Sequence, residues 1–150
     1  TLVSFERARC HMGAWGYSLA RRAMEESIRY SQERVQHGKP IAGHQMIADK
    51  LAIMATEIDA ARLLALRAAD MIDRGDRCDQ QCAMAKWYGT EIGQRACRDA
   101  VQIHGGNGVT TEYIVERLAR EAMIGPIPDG TTEIQKLIIA RNLTGIQAFR

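Results

Sequence analysis

Residues 47–72 read IADKLAIMATEIDAARLLALRAADMI. Within this stretch Ile47, Leu51, Met54, Ile58, Ala61, Ala65, Ala68 and Ile72 recur at alternating intervals of four and three. That alternation is an a/d seam, sustained here for more than three heptads. It predicts a helix of about 30 residues and about 45 Å, too long to stand without partner helices. Alanines in its second half allow a neighbouring helix to come close. Gly75, just after Asp73-Arg74, supplies the stop.

The pattern extends outward from this seam in both directions. Upstream, a helix is predicted from Met12 to about Val35, with Tyr17, Ala20, Met24 and Ile28 on one stripe. Arg21, Arg22, Glu25, Glu26 and Arg29 turn elsewhere, and Gly38 and Pro40 break the helix. Downstream, Ala85, Tyr88, Ile92, Ala96, Ala100 and Ile103 form a third stripe ending at His104, where Gly105, Gly106 and Gly108 interrupt. A short helical turn is expected between Glu112 and Arg120. A second breaker cluster, Gly125-Pro126-Ile127-Pro128-Asp129-Gly130, precedes a last helix. Thr132 and Gln135 fit a capping box at its start, and Leu137, Ile138 and Ile139 supply its apolar part. The fold class read from this order is all-α: an up-and-down four-helix bundle with a short extra helix, its neighbours antiparallel across short connections.

Composition agrees. The chain has 150 residues, 46% hydrophobic and 25% charged, which suits one globular domain able to bury a sizeable core. Aromatics at 5% and only three prolines favour helix over a β-sandwich. A net charge of +2 argues against a nucleic-acid wrapper or a polybasic membrane binder. No apolar run approaches the roughly 20 residues of a membrane span. The first residues lack the pattern of a signal peptide and the chain lacks an initiator Met, so it reads as a piece of a longer protein. Cys10, Cys78, Cys82 and Cys97 offer neither a CxxC pair nor zinc spacing, so no metal site is expected. They read as buried free thiols of a reducing cytoplasm, or of a mitochondrial matrix in a eukaryote. The seven methionines read as core filler.

Chemistry is expected in the breaks. His104-Gly105-Gly106-Asn107-Gly108 is neither a Rossmann nor a Walker pattern; it serves as a helix cap and turn, or lets a ligand approach bare backbone. Arg34 to Lys39 is a solvated helix end or a phosphate clamp built on the guanidinium fork. Asp129, between Pro128 and Gly130, is a turn residue or a carboxylate base on a rigid turn.

In combination these segments resemble the C-terminal helical domain of the acyl-CoA dehydrogenases. The resemblance covers essentially the whole chain. It rests on Phe5-Glu6-Arg7-Ala8-Arg9, Glu33-Arg34 with Gly38-Lys39-Pro40-Ile41, and His44-Gln45. Further along it rests on residues 100–108, on Glu112-Tyr113, on Asp129-Gly130-Thr131-Thr132-Glu133-Ile134-Gln135 and on Ile138-Ile139-Ala140-Arg141. It implies an FAD-dependent oxidation of an acyl-CoA thioester to the trans-2-enoyl-CoA, with electrons passing to an electron-transfer flavoprotein. It also implies that residues 1–150 are the last domain of a larger flavoprotein forming a homodimer or homotetramer.

Position by position, the resemblance assigns Arg34 and Gln36 to the FAD pyrophosphate of a neighbouring subunit and Gln45 to its adenine end. Gln102, Gly105 and Gly106 fall against that neighbour's adenosine. Thr131 and Glu133 match contacts to the subunit's own flavin, Arg9 an arginine on the acyl-CoA side, and Gly130 the residue beside the thioester. One departure matters. Many relatives carry a catalytic Glu where this chain has Asp129, and another branch places its Glu at the position of Ala8. Ala8 cannot act as a base, so the base is Asp129 or is lost. A nitroalkane-oxidase-like flavoprotein and a catalytically silent helical oligomerisation module are the alternative readings.

Overall fold

A computed structural model describes residues 2–148, with side chains described from residue 7 onward. The side chains of Phe5 and Glu6, in the first motif above, lie outside the described residues. The chain forms α1 (Leu2–Glu33), a two-stranded hairpin of β1 (Val35–Gln36) and β2 (Lys39–Pro40), and α2 (Gln45–Asp73). Then come α3 (Asp79–His104), α4 (Val115–Ala122) and α5 (Thr132–Thr144). Short 3-10 turns occupy Ile41–Gly43 and Gly105–Val109.

Contacts between helices fix their directions. Cys10 on α1 bonds to the Ala65 carbonyl on α2, and Lys50 and Glu57 on α2 pair with Asp99 and Arg95 on α3. Numbers that rise on one helix therefore fall on the next, so α2 is antiparallel to α3. Gly13 and Gly16 of α1 meet Ala85 and Gly89 of α3, while Tyr30 stacks on His104 at the far end, so α1 and α3 run the same way. Asp79 at the start of α3 accepts bonds from Arg141 and Asn142 at the end of α5, which runs back along it. The result is the expected up-and-down bundle with α3 at its centre.

The α1–α3 crossing is unusually close. A Cβ on Gly16 would lie 2.4 Å from the Gly89 carbonyl oxygen, and one on Gly89 would lie 2.4 Å from the Gly13 carbonyl oxygen. Backbone therefore packs on backbone, which only glycine permits. Below and above the crossing, Ile92, Ala96, Ala100 and Ile103 of α3 join Met54, Ile58 and Ala61 of α2 in the core. The a/d seam of α2 is its packed face: Met54, Ile58, Ala61, Ala65 and Ala68 are buried.

Four details differ from the sequence reading. Helix α1 starts about ten residues earlier than expected, since nothing before Met12 breaks a helix. Its packed face holds the predicted Tyr17, Ala20 and Met24 but spreads to the side away from Ile28. Ala20, Ala23, Ser27, Tyr30 and even Glu26 are buried, whereas Ile28 is exposed. The serine hydroxyl donates to the Ala23 carbonyl, and Arg22 and Arg29 hold the Glu26 carboxylate, so burial leaves neither unsatisfied. Finally, the α5 capping box is not formed. Thr131, one residue earlier, is the N-cap, and the Thr132 hydroxyl donates to Glu91 Oε1 at 2.8 Å. Met46 and Met123 are also exposed, at 74% and 66%, so they do not fill the core.

Candidate functional site

The predicted residues gather at two ends of the bundle. At one end the His37-Gly38 turn, both residues at positive φ, folds the hairpin back in antiparallel register, pairing Val35 with Pro40 and Gln36 with Lys39. His44 Nε2 lies 3.1 Å from the Gln36 carbonyl, tying the hairpin to the start of α2. Arg34, Gln36, Gly105 and Gly106 line one cavity of about 430 Å³ together with Tyr30, Ile41, Ile103, His104 and Asn107. The floor is aromatic. His104 stacks on Tyr30 with ring centroids 4.2 Å apart, and Tyr113 meets both edge-on. Asn107 donates to the Tyr30 hydroxyl at 3.0 Å, and His104 Nδ1 lies 2.8 Å from the Ala100 carbonyl. Burial pushes the His104 imidazole below its ordinary value, against the backbone bond that would raise it. Gln45, the first residue of α2, and Gln102, on the last turn of α3, are exposed and do not line this cavity.

The other end carries the turn between α4 and α5. Asp129 sits there at φ 57 and Gly130 at φ 95, consecutive left-handed residues. Asp tolerates that region better than most side chains. The turn is tied from three helices. Arg9 Nε of α1 donates to the Asp129 carbonyl at 3.4 Å. Gln135 Nε2 of α5 donates to the Gly130 carbonyl at 2.8 Å and to the Asp129 carbonyl at 3.3 Å. Lys86 Nζ of α3 donates to the Pro126 carbonyl at 2.8 Å. These bonds go to backbone oxygens and leave the half-buried Asp129 carboxylate out of them. Thr131 and Glu133 are exposed at the start of α5. The Thr131 hydroxyl and the backbone N–H of Glu133 bond the Glu133 carboxylate and hold it below the usual carboxylate range.

Sequence reasoning missed Lys86 and Gln135 as parts of this site. Lys86 is 0% exposed in a stretch where lysine reads as surface, and Gln135 was assigned to a capping box. The contact of α3 with the 126–130 turn reveals the first, and the bonds from α5 to the same turn reveal the second. Arg9 on α1 and Arg34, the residue just after it, lie 25 residues apart, a separation of roughly 37 Å at the helical rise. The two groups of residues are thus distinct sites at opposite ends of the bundle. Among the described residues no group of three or more His, Cys, Asp or Glu is placed to hold a metal.

Fold and sites together define a helical bundle domain that presents a glycine-lined cavity at one end and an aspartate on a braced turn at the other. Residues 1–144 match the family model "Acyl-CoA dehydrogenase, C-terminal domain", and the chain belongs to that family. It is 44% identical over 144 residues to an acyl-CoA dehydrogenase of Bacillus subtilis, covering 96% of this chain and 38% of that protein. It is 40% identical over 139 residues to a subunit of a caffeyl-CoA reductase–Etf complex of Acetobacterium woodii, covering 93% of this chain and 37% of that protein. Among solved structures, glutaryl-CoA dehydrogenase of Mycobacterium smegmatis in complex with FADH2 superposes with a TM-score of 0.93 at 29% identity, over 97% of this chain and 38% of that one. The chain therefore spans well under half the length of these relatives.

Proposed function

We propose that this chain is the C-terminal domain of an FAD-dependent acyl-CoA dehydrogenase, which converts an acyl-CoA thioester to the trans-2-enoyl-CoA. Asp129 is the base that takes the α-proton. The observation that carries this reading is the Asp129-Gly130 turn. It presents a half-buried carboxylate while its carbonyls are bonded by side chains of α1 and α5 and the turn itself is held from α3. A base must be held in place to be within hydrogen-bond reach of its proton, and this bracing supplies that order. Arg9 stands on the same face, where a cation suits the acyl-CoA, and Gly130 is the residue beside the thioester.

The residues present fit the flavin cofactor. A Cβ at Gly105 or Gly106 would meet nothing within 4 Å, so a planar or phosphorylated ligand has open access to the backbone there. Arg34 offers an exposed guanidinium beside that opening, suited to a pyrophosphate. FAD, when bound, supplies the acceptor for the β-hydrogen and its electron pair. Arg34, Gln36, Gln45, Gln102, Gly105 and Gly106 serve the cofactor of a neighbouring subunit, and Thr131 and Glu133 that of their own. The separation of the two ends supports this division, which makes the working unit a homodimer or homotetramer. The likeness to a subunit of a reductase–Etf complex supports an electron-transfer flavoprotein as acceptor.

The test is anaerobic bleaching of the flavin by acyl-CoA in the full-length protein carrying Asp129→Asn. Flavin should still bind, while its reduction slows by about 10²–10⁴-fold, the usual worth of a general base. Bleaching at the unmutated rate shows Asp129 to be a turn residue only. Nitrite release from nitroalkanes, in place of acyl-CoA turnover, points to a nitroalkane oxidase instead.

A further inference from the structure

Three thiols converge where α1, α2 and α3 meet. Cys10, Cys78 and Cys82 share one buried cluster with Ala65, Ala68 and Ala85. Its other buried members are all alanines, so packing alone asks for no sulfur at adjoining positions. Within the cluster the Cys82 thiol donates to Cys78 Sγ at 3.7 Å. Cys10 is engaged elsewhere. Its thiol donates to the Ala65 carbonyl at 3.6 Å, and burial, with Cys78 beside it, pushes that thiol up.

The backbone brings Cys78 and Cys82 within reach of a bridge. The Cys82 N–H donates to the Cys78 carbonyl at 2.9 Å, closing one helical turn. Residues four apart on such a turn have Cα atoms about 6 Å apart, inside the range of about 4.4–6.8 Å that a disulfide spans. The sulfurs have to close by about 1.7 Å to bond. Cys78 is the residue placed to yield. It is the N-cap of α3 at φ −136 and ψ 18, outside helical dihedrals, whereas Cys82 lies one turn inside the helix. Cys78 is 4% exposed and Cys82 0%, so a small solute meets Cys78 first. The next residue, Asp79, latches α3 to α5: it accepts bonds from Arg141 at 3.1 Å and Asn142 at 2.9 Å, and Arg77 holds it from its own segment.

We propose that Cys78 and Cys82 form a reversible thiol–disulfide pair, oxidised by hydrogen peroxide, whose closure moves the start of α3 and loosens the Asp79 latch on α5. The Cys78 sulfur attacks one peroxide oxygen, the O–O bond breaks, and a sulfenic acid and one water result. The Cys82 sulfur then attacks the Cys78 sulfur. The S–O bond breaks, and the hydroxyl leaves with the thiol proton as a second water. The two sulfurs together lose two electrons, and the peroxide gains them. A dithiol reductant reverses the step by exchange through a mixed disulfide. A bridge that displaces backbone is readily reduced, which suits a switch better than a staple. The pair is independent of the reading of Asp129.

The test uses the full-length flavoprotein. It is treated with hydrogen peroxide, cleared with catalase, unfolded in iodoacetamide and digested with trypsin. Cleavage after Arg77 and Lys86 releases both cysteines in one peptide, residues 78–86. That peptide should escape alkylation and be about 2 Da lighter than the dithiol, the loss of two hydrogens. Dithiothreitol before the alkylation should restore two labels. Cys97, buried with its thiol pushed up to about 12, should take the label throughout. A crosslink from 78–86 to the Cys10 peptide overturns the pairing. So does a sulfinic acid at either cysteine with no bridge, or a peptide that keeps both labels at peroxide levels that oxidise free glutathione. Hydrogen exchange reads the latch. Amides of residues 141–144 should exchange about tenfold faster in the oxidised protein, the effect of losing one charge-assisted bond, and return with dithiothreitol. Cys78→Ser and Cys82→Ser should each abolish that response to peroxide. A bridge that forms without changing this exchange shows that the latch does not respond, and the switch falls.

Discussion

At the scale of single residues, the Asp129-Gly130 turn depends on a side chain that glycine makes room for. A Cβ at Gly130 would lie 2.8 Å from Gln135 Nε2, and the residue already sits at φ 95. Gly130→Ala therefore meets both backbone strain and a clash with the amide that holds Asp129. A loss of about 1–3 kcal/mol in urea unfolding is expected, together with slower flavin reduction in the full-length protein. An unchanged urea midpoint would show that the turn relaxes freely. His104 gives a second residue-scale prediction. Burial lowers its folded value below the ordinary 6.5, so the unfolded chain binds more protons once the pH drops under that value. The associated stability is complete above about pH 6.5 and is lost as pH falls through the folded value. His104→Phe keeps the stack on Tyr30 and should flatten urea midpoints between pH 7 and pH 5. Asp79 does not confuse this window. Burial alone would raise its value, but bonds from Arg77, Asn142 and Arg141 and the Arg77 charge outweigh it, so its titration falls below 3.8. His104 was visible in the sequence only as the residue before a glycine run. Its aromatic neighbours, Tyr30 and Tyr113, come from segments 74 residues before it and nine after it, a meeting that no local pattern announces.

At the scale of elements, α1 and α3 determine where everything else sits. Their glycines allow backbone contact, which brings Arg9 of α1 and Lys86 of α3 against the same turn. Gly16→Ala would press a methyl to 2.4 Å from the Gly89 carbonyl oxygen, with backbone on the other side and nothing flexible to yield. A destabilisation of at least about 2 kcal/mol follows, near the upper part of the range for overpacking. Thermal unfolding measures it, and a change below about 0.5 kcal/mol would mean the helices simply separate. Gly75→Ala, at the end of α2 with nothing near it, is the natural comparison; it pays only for its positive φ. The a/d seam of α2 and the stripe of α3 were legible because apolar residues recur at helical period and are buried where they recur. The packed face of α1 was legible only in part: Tyr17, Ala20 and Met24 carry its hydropathy signal, while Gly13, Gly16 and Ser27 carry none. The same blindness hid Lys86, whose burial depends on a carbonyl 40 residues away. Asp129, by contrast, was singled out from its motif, and the structure adds the bonds to the backbone of its turn.

At the scale of the whole molecule, the bundle leaves a large amount of apolar surface uncovered. Met46, Ile53 and Leu63 lie exposed on α2 beside its buried seam, and Val109, Ile124, Ile127, Leu143 and Ile146 are exposed around the two ends. Scattered apolar side chains are ordinary on a monomer, but a run of them along one helix and around both ends is the pattern of surfaces that are covered. We propose two coverings: the domains that precede this one in its relatives, and other copies of the chain. The isolated chain retains only the second. Sedimentation of the purified chain at micromolar concentration should therefore show dimers or larger species, and Ile53→Lys with Leu63→Glu should shift the population towards monomer without lowering helicity. A clean monomer for the unmutated chain would refute the idea that α2 meets another copy. Cofactor retention tests the other half of the argument. Arg34 and Gly105 stand roughly 37 Å from the Asp129 end, so under the proposed assignment one chain supplies two separate edges of flavin sites. Affinity built from edges alone forgoes most of the burial that a pocket supplies. The purified chain should thus carry far less than one FAD per chain by absorbance at the flavin bands, whether it is a dimer or not. A stoichiometrically yellow fragment would mean that this domain binds the whole cofactor by itself, and the division of the two ends between neighbouring subunits would have to be abandoned.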